Sequence, residues 1–596
     1  VDLAGREVTR AAGPGPGPGP GPGPGPGPGP GPGPGPGPGP GPGPAGGARR
    51  GGVRGAAGRL ALMAVPAAFF AVFFAYPVGA IVARGLRENG RWHLGRLPDV
   101  LGDPDILGVL WFTLWQAAAS TGLTLLLALP AAYVFARFDF PGKHLLRALV
   151  TVPFVMPTVV VGSAFLALLG RGGVLDGWWG VRLDTTVWAI LLAHVFFNFA
   201  IVVRTVGGLW SQLDPRQEEA ARVLGAGRLA AFRHVTLPAL GPAVAAAAVM
   251  VFLFTFTSFG VIQILGGPSY ATLEVEIYRQ TADFLDLPTA AVLSLVQLAA
   301  VAAVLALHAW TVRRQETALR LVAPETTARR PRTPGERALL GGVLTVVAVL
   351  LLSPLAVLVE RSFATPGGYG PGFYRALRES DGTFAVPPLE AVGNSLAYAA
   401  VATAIAVVVG GLAAAAVTRR AGPLVRGFDA LLMLPLGTSA VTVGFGFLIA
   451  LDSPPLDLRS SWILVPLAQA LVGVPFVVRT MLPVLRAVDD RLREAAAVLG
   501  ASPLRAWREV DLPLVWRAVL VAAGFAFAVS LGEFGATVFI AGPDRPTLPV
   551  AVARLLGRAG ETNYGQAMAL STILMAVCAA ALLLLERVRK NQAGEF

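Results

Sequence analysis

Twelve stretches of this chain are each about twenty residues long and almost wholly apolar, and each is long enough to cross ~30 Å of hydrocarbon as a helix. They fall near residues 60–83, 111–136, 145–169, 187–209, 239–265, 288–312, 339–359, 394–418, 428–451, 461–483, 515–540 and 564–586. Within lipid every backbone N–H and C=O must be paired inside the protein, which leaves helices or closed barrels. These runs are too long and too continuous for barrel strands. The expectation is an all-α integral membrane protein with about twelve transmembrane helices. Composition agrees: only 14% of residues are charged, against about 25% in soluble domains. The run at 461–483 is the least regular, because it carries Pro466, Gln469 and Pro475.

Basic residues set the sidedness. With the amino terminus placed inside, the inner segments hold more than twice as many Lys and Arg as the outer loops, which is the bias that fixes membrane orientation. This predicts a multi-pass plasma-membrane protein with both termini cytoplasmic. The net charge of +12 is almost all arginine, since Lys143 and Lys590 are the only lysines. The arginines are spread over short loops rather than gathered in one patch, which argues against nucleic acid as a partner. A single cysteine, Cys578, excludes an internal disulfide.

Gly13 to Pro44 alternates glycine and proline without a break. Proline removes every second donor and glycine weakens any regular element, so a disordered, semi-extended tail is expected there.

Two polar stretches repeat. "EAARVLGAGRLAAFRHVTLP" begins at Glu219 and "EAAAVLGASPLRAWREVDLP" begins at Glu494, an offset of 275 with no gap. Arg204-Thr205 matches Arg479-Thr480 and Phe259-Gly260 matches Phe534-Gly535 at the same offset. Upstream the offset is 282, which pairs Thr113 with Ser395, Pro153 with Pro435 and Gly162 with Gly444. Six spans per half is an even number, so both halves enter the membrane in the same sense. The arrangement predicted is two parallel six-helix repeats about a pseudo-twofold axis along the membrane normal. The domain boundaries that follow are a tail at 1–58, a first repeat at 59–312 with its loop at 214–238, a linker at 313–337, a second repeat at 338–590 with its loop at 489–513, and a terminal tail at 591–596.

The spacing of each loop predicts a shape. Asp214 and Asp489 are placed to cap a short helix that carries Glu219, Ala220 and Ala221, or Glu494, Ala495 and Ala496. Gly225 and Gly500 stop it in the left-handed conformation. A second short helix starts at Gly227 or Ser502 and is expected to end at Leu237-Pro238 or Leu512-Pro513. The small alanine pairs leave room for close packing. Two such loops with identical internal spacing point to equivalent docking surfaces for a partner that is itself twofold.

These residues resemble the EAA motif of binding-protein-dependent ABC importer permeases. The chain is similar to a fused pair of such permeases, as in the thiamine and iron(III) transport systems, from about residue 60 onward. The resemblance implies that the two loops are coupling elements seated on a cytoplasmic ABC ATPase dimer. Glu219 and Glu494 would hold each loop in its dock, and Gly225 and Gly500 would allow the turn. It also implies an extracytoplasmic substrate-binding protein and alternating access. The chain has no Gly-x-x-x-x-Gly-Lys-Ser/Thr phosphate loop, so ATP hydrolysis is assigned to the partner and the permease is not itself an enzyme. No catalytic residue, metal site or cofactor is assigned; the five histidines are scattered without ligand spacing.

Ionisable and polar groups within spans are candidates for the substrate path. Glu533 leads, with its counterpart Ser258, followed by Asn198 and Gln469 in the fourth span of each half. Glu533 can equally be a local cap where Gly532 and Gly535 loosen the helix. A carboxylate suits a cation, and the expected substrate is thiamine or ferric iron. Another small solute such as sulfate or a polyamine, and a secondary transporter in place of an ATP-driven one, are the alternatives.

Overall fold

The computed structural model describes residues 62–88, 90–314, 322–323, 327–379, 385–418, 422–452, 454 and 456–593. The glycine–proline tail and residues 594–596 lie outside these, as do residues 315–321 and 324–326 of the 313–337 linker. Among the described residues eleven helices are long and apolar enough to cross a membrane, and a bent pair, Val425–Pro435 with Ala440–Ala450, brings the number to twelve when it is counted as one span. The only strands among the described residues are two short hairpins, Arg87–Glu88 with Arg91–Trp92 and Ala364–Thr365 with Gly368–Tyr369. One follows the first helix of each half.

The two halves pack in the same way. In the first, Pro104–Arg137 lies against Val187–Gln212, and both lie against Leu237–Phe256. In the second, Glu390–Thr418 lies against Leu464–Ala487, and both lie against Leu512–Gly532. The first helix of each half crosses over. Tyr76–Leu86 packs on Leu287–Arg314 of its own half and on Ala440–Ala450 of the other. Pro334–Phe363 packs correspondingly on Glu561–Ala593 and on Thr158–Leu169. The chain is therefore two parallel six-helix repeats related by a pseudo-twofold axis. The fourth span of each half is the most buried of the spans and stands at its centre. The irregular run at 461–483 is one continuous helix, Leu464–Ala487, because Pro466 falls in its first turn and close helical packing surrounds Pro475.

Four spans read from the sequence as continuous are broken. The run at 145–169 is two helices, Lys143–Val155 and Thr158–Leu169. Met156 is extended (ψ 142°) because the residue before a proline is pushed out of the helical region. In the second half the same bend, 95° here, carries no proline. Ser439, the counterpart of Pro157, caps the outgoing helix instead by accepting from Val441 N at 3.0 Å. The runs at 239–265 and 515–540 break as well, after Phe256 and Gly532. Short helices Gly260–Leu265 and Thr537–Ile540 follow, and the chain then folds back into the core. Thr113 Oγ1 accepts from Leu273 N at 2.9 Å, and Ser395 Oγ accepts from Leu548 N at 2.7 Å. These hydroxyls satisfy a buried donor that begins each returning helix, Leu273–Ala282 or Leu548–Leu556.

Glycines let the broken segments nest. A Cβ on Gly260 would sit 2.4 Å from Thr158 Oγ1, and one on Gly444 would sit 2.6 Å from the Cα of Ala536. The described part of the linker runs back along the first half. Val322 N donates to Gln212 O, Thr327 Oγ1 to Ser211 O, and Arg329 N to Arg137 O. Arg329 then forms a two-pronged pair with Glu336, whose carboxylate completes a capping box with Thr333 at the start of the seventh span.

Candidate functional site

The repeated loops share one conformation. Asp214 accepts from Arg216 N and Asp489 from Arg491 N, both at 3.0 Å, and the helices Arg216–Val223 and Asp490–Val498 follow. Gly225 and Gly500 then turn the chain at φ +95° and +82°. Beside each, a backbone N–H reaches back five residues, Ala226 N to Ala221 O at 3.0 Å and Ala501 N to Ala496 O at 2.9 Å. This closes the helix end in the manner of a Schellman cap.

The second short helix does not stop at the prolines, contrary to the sequence reading. It passes through a π-turn, Phe232–Thr236 or Trp507–Asp511, straight into the next span. Proline lacks an N–H and crowds the carbonyl four residues back. A wider turn just ahead relieves both demands, so Pro238 and Pro513 start the span.

Each loop presents Glu219 and Ala220, or Glu494 and Ala495, to solvent, with Ala221 and Ala496 half-buried. Among the described residues no side chain pairs with Glu219 or Glu494. Pro238 and Pro513 are exposed, Leu237 is exposed and Leu512 half-buried. The sequence reading missed the most exposed apolar groups. Val223 and Leu224 are 87% and 88% exposed, and Val498 and Leu499 match them at 87% and 88%. The signal was present, since Val-Leu-Gly recurs unchanged in both copies. Four large aliphatic side chains held in water at equivalent positions describe a surface built to be covered.

The loops are braced differently. Thr236 Oγ1 donates to Glu218 at 3.0 Å in the first. At the matching positions of the second, Arg493 pairs with the buried Asp511 at 2.7 Å and with Asp490 at 2.6 Å.

Between the halves lies a cavity of about 560 Å³. Its walls come from the fourth spans, the broken third and fifth spans, and their partners in the second half. Phenylalanines dominate it, among them Phe154, Phe197, Phe254, Phe476 and Phe525. Phe259 and Phe534, equivalent by the repeat, stack across the pseudo-twofold with centroids 5.1 Å apart at 25°.

Three of the four polar candidates line this cavity: Asn198, Ser258 and Glu533. Gln469 is buried but does not reach it; the residue that matches it in the first half is His194, which does. His194 bridges Ser120 (Nδ1 to Oγ, 3.0 Å) and Ser258 (Nε2 to Oγ, 2.9 Å). Both carboxylate oxygens of Glu533 cap the short helix after the break, accepting from Ala536 N at 2.7 Å and Thr537 N at 3.1 Å. Glu533 thus serves as a local cap and also faces the cavity. A fifth group was not foreseen. Glu274, 1% exposed, lines the cavity because the returning segment carries it into the core. It accepts from Gln297 of its own half at 2.5 Å. The sequence had placed it in an outer loop, and only the fold-back moves it. Arg204 and Arg479 stand at the loop end of the same cavity.

Over residues 124–317 and again over 406–588 the sequence matches the model of a family described as "Binding-protein-dependent transport system inner membrane component". The thiamine transport system permease protein ThiP of Brucella abortus (strain 2308) is 28% identical over 493 residues, which cover 81% of this chain and 88% of that protein. ThiP of Salmonella typhimurium is 27% identical over 545 residues, covering 88% of this chain and 94% of that protein. The sulfate transport system permease protein CysT of Salmonella typhimurium is 33% identical over 208 residues, 34% of this chain and 75% of that protein. Thiamine and sulfate are the solutes these relatives' names carry, and the ferric iron class read from the sequence finds no support in them.

Proposed function

The chain belongs to the family of binding-protein-dependent transport system inner membrane components, as an ABC importer permease of the thiamine and sulfate type, and on that premise we propose that it moves thiamine into the cytoplasm by alternating access. A cytoplasmic ATPase dimer docks on the two loops, one subunit on each. Glu219, Ala220, Ala221, Gly225, Leu237 and Pro238 form the first dock with Val223 and Leu224. Glu494, Ala495, Ala496, Gly500, Leu512 and Pro513 form the second with Val498 and Leu499. ATP binding brings the docks together and rocks the two helix bundles about the cavity. An extracytoplasmic binding protein delivers the substrate, and both termini lie in the cytoplasm. Ser258, Glu533 and Asn198 belong to the path; Gln469 supports it through packing. The domain boundaries follow the repeat, with 59–312 and 338–590 as the two bundles.

The observation that carries this reading is the pair of exposed Val-Leu steps at identical places in two loops of identical conformation. A twofold motor requires such a twofold surface. Sulfate remains a second substrate class because CysT is a relative. The test is reconstitution in liposomes with an ABC ATPase and a binding protein of the same organism. Thiamine uptake that needs ATP inside the cytoplasm-equivalent face supports the reading. Uptake that runs on an ion gradient without ATP would make the chain a secondary transporter and overturn it.

A further inference from the structure

The cavity offers acceptors at one end and cations at the other. Asn198 commits its amide N–H to the carbonyl of His194 at 2.9 Å, so the atom left over, Oδ1, is an acceptor by necessity. That oxygen is buried and has no partner among the described residues, and its residue is 1% exposed on the cavity wall. An unpaired buried acceptor is unfavourable until a donor reaches it. His194 cannot supply one, since both ring nitrogens are engaged by Ser120 and Ser258. Two carboxylates join it, Glu274 from the first half and Glu533 from the second, each at most 6% exposed. The cavity's guanidiniums stand apart. Arg204 lies six residues beyond Asn198 on the same helix, about 9 Å toward the loops, and Arg479 holds the matching place in the second half. The remaining wall is phenylalanine, which offers flat faces to a ring and electron-rich faces to a positive charge.

We propose that the region between Asn198, Glu274 and Glu533 is a recognition site for a flat heteroaromatic cation that carries N–H donors, and that it rejects inorganic anions. The proposal rests on the permease reading and narrows its substrate class. A ring stacks on the phenylalanines, its N–H groups pair with Asn198 Oδ1, and its charge lies against the carboxyl oxygens of Glu274 and Glu533. Sulfate has only acceptors to present, and it would meet an acceptor and two carboxyl groups. The two halves contribute unlike groups, so the ligand has one preferred orientation despite the pseudo-twofold.

The full chain in lipid nanodiscs can be titrated with thiamine as the ringed cation, choline as a cation without a ring, and sulfate. Thiamine is expected to bind, choline to bind about tenfold more weakly, and sulfate not to bind. Asn198→Leu and Glu533→Gln should each weaken thiamine by about tenfold. Asn198→Asp, which keeps an acceptor, should bind as tightly as the native chain or tighter; this variant guards against a folding defect. Absence of thiamine binding, sulfate binding equal to thiamine, or native affinity in both Asn198→Leu and Glu533→Gln overturns the site. If ATP-driven uptake by the native chain persists in that case, only this site falls. If the native chain shows no ATP-driven uptake, the permease reading falls with it.

Discussion

Replacing Gly225 and Gly500 together probes the loops through the backbone alone. Their φ values are +95° and +82°, and a Cβ built at either would meet nothing within 4 Å. Side-chain volume therefore carries no penalty in the free chain; the left-handed conformation does. Alanine in that region costs ~1–2 kcal/mol per residue. Asparagine costs less because its short polar side chain bonds locally, and a β-branched valine costs more. An increment of ~1–2 kcal/mol lowers the ratio of folded to unfolded loop by about five- to thirtyfold, and the effects multiply if both docks must be formed at once. The assay is ATP hydrolysis stimulated by loaded binding protein, together with the affinity of the ATPase for the chain, across glycine, asparagine, alanine and valine at both positions. The expected order of coupling is Gly, Asn, Ala, Val. An order set by volume would place Ala ahead of Asn. That result, or native coupling by the alanine pair, refutes the conformational argument.

Changing Val223, Leu224, Val498 and Leu499 to serine should weaken ATPase binding by at least about tenfold, with the chain's own melting temperature unmoved, because these side chains touch almost nothing in the free protein; a lowered melting temperature would instead place them in the fold. Asp511→Ala should loosen its loop more than Thr236→Val loosens the other, since a bond to a charged pair is worth about 1.5–3 kcal/mol and leaves Arg493 with Asp490 alone; hydrogen exchange of the two loops reads the difference, and equal protection would sink it. Ser395→Ala should strand Leu548 N in the core at a cost of about 1–3 kcal/mol, read as a drop in thermal stability. Gly444→Val should cost at least about 1–3 kcal/mol, because its Cβ would meet the backbone of Ala536 rather than a movable side chain; unchanged stability would mean the ninth span shifts freely.

The spans and the repeat were legible because hydropathy and an ungapped offset survive without any tertiary information. The loops were legible for the same reason, down to the sign of φ at Gly225 and Gly500. The helix breaks were not. An apolar run reads alike whether it is one straight helix or two pieces meeting at Met156, because lipid and protein core both demand apolar side chains. Ser439 shows the difficulty best: it makes the bend that Pro157 makes in the other half, yet it looks like an ordinary serine in a span. Val223 and Leu224 were passed over because apolar residues default to the interior, although their exact recurrence marked them.

The sequence by itself determined the class, the approximate count of crossings, the parallel repeat and the two loops, since each follows from a local rule about backbone pairing in lipid, from a constant repeat offset or from turn conformation. Only the tertiary structure decided what faces the cavity. Glu274 reaches it because its segment folds back between Thr113 and the other half, and Gln469 misses it although His194 at the matching position does not. Such placements depend on how far a returning chain descends and which helix face it meets, and these are set by contacts between residues hundreds of positions apart.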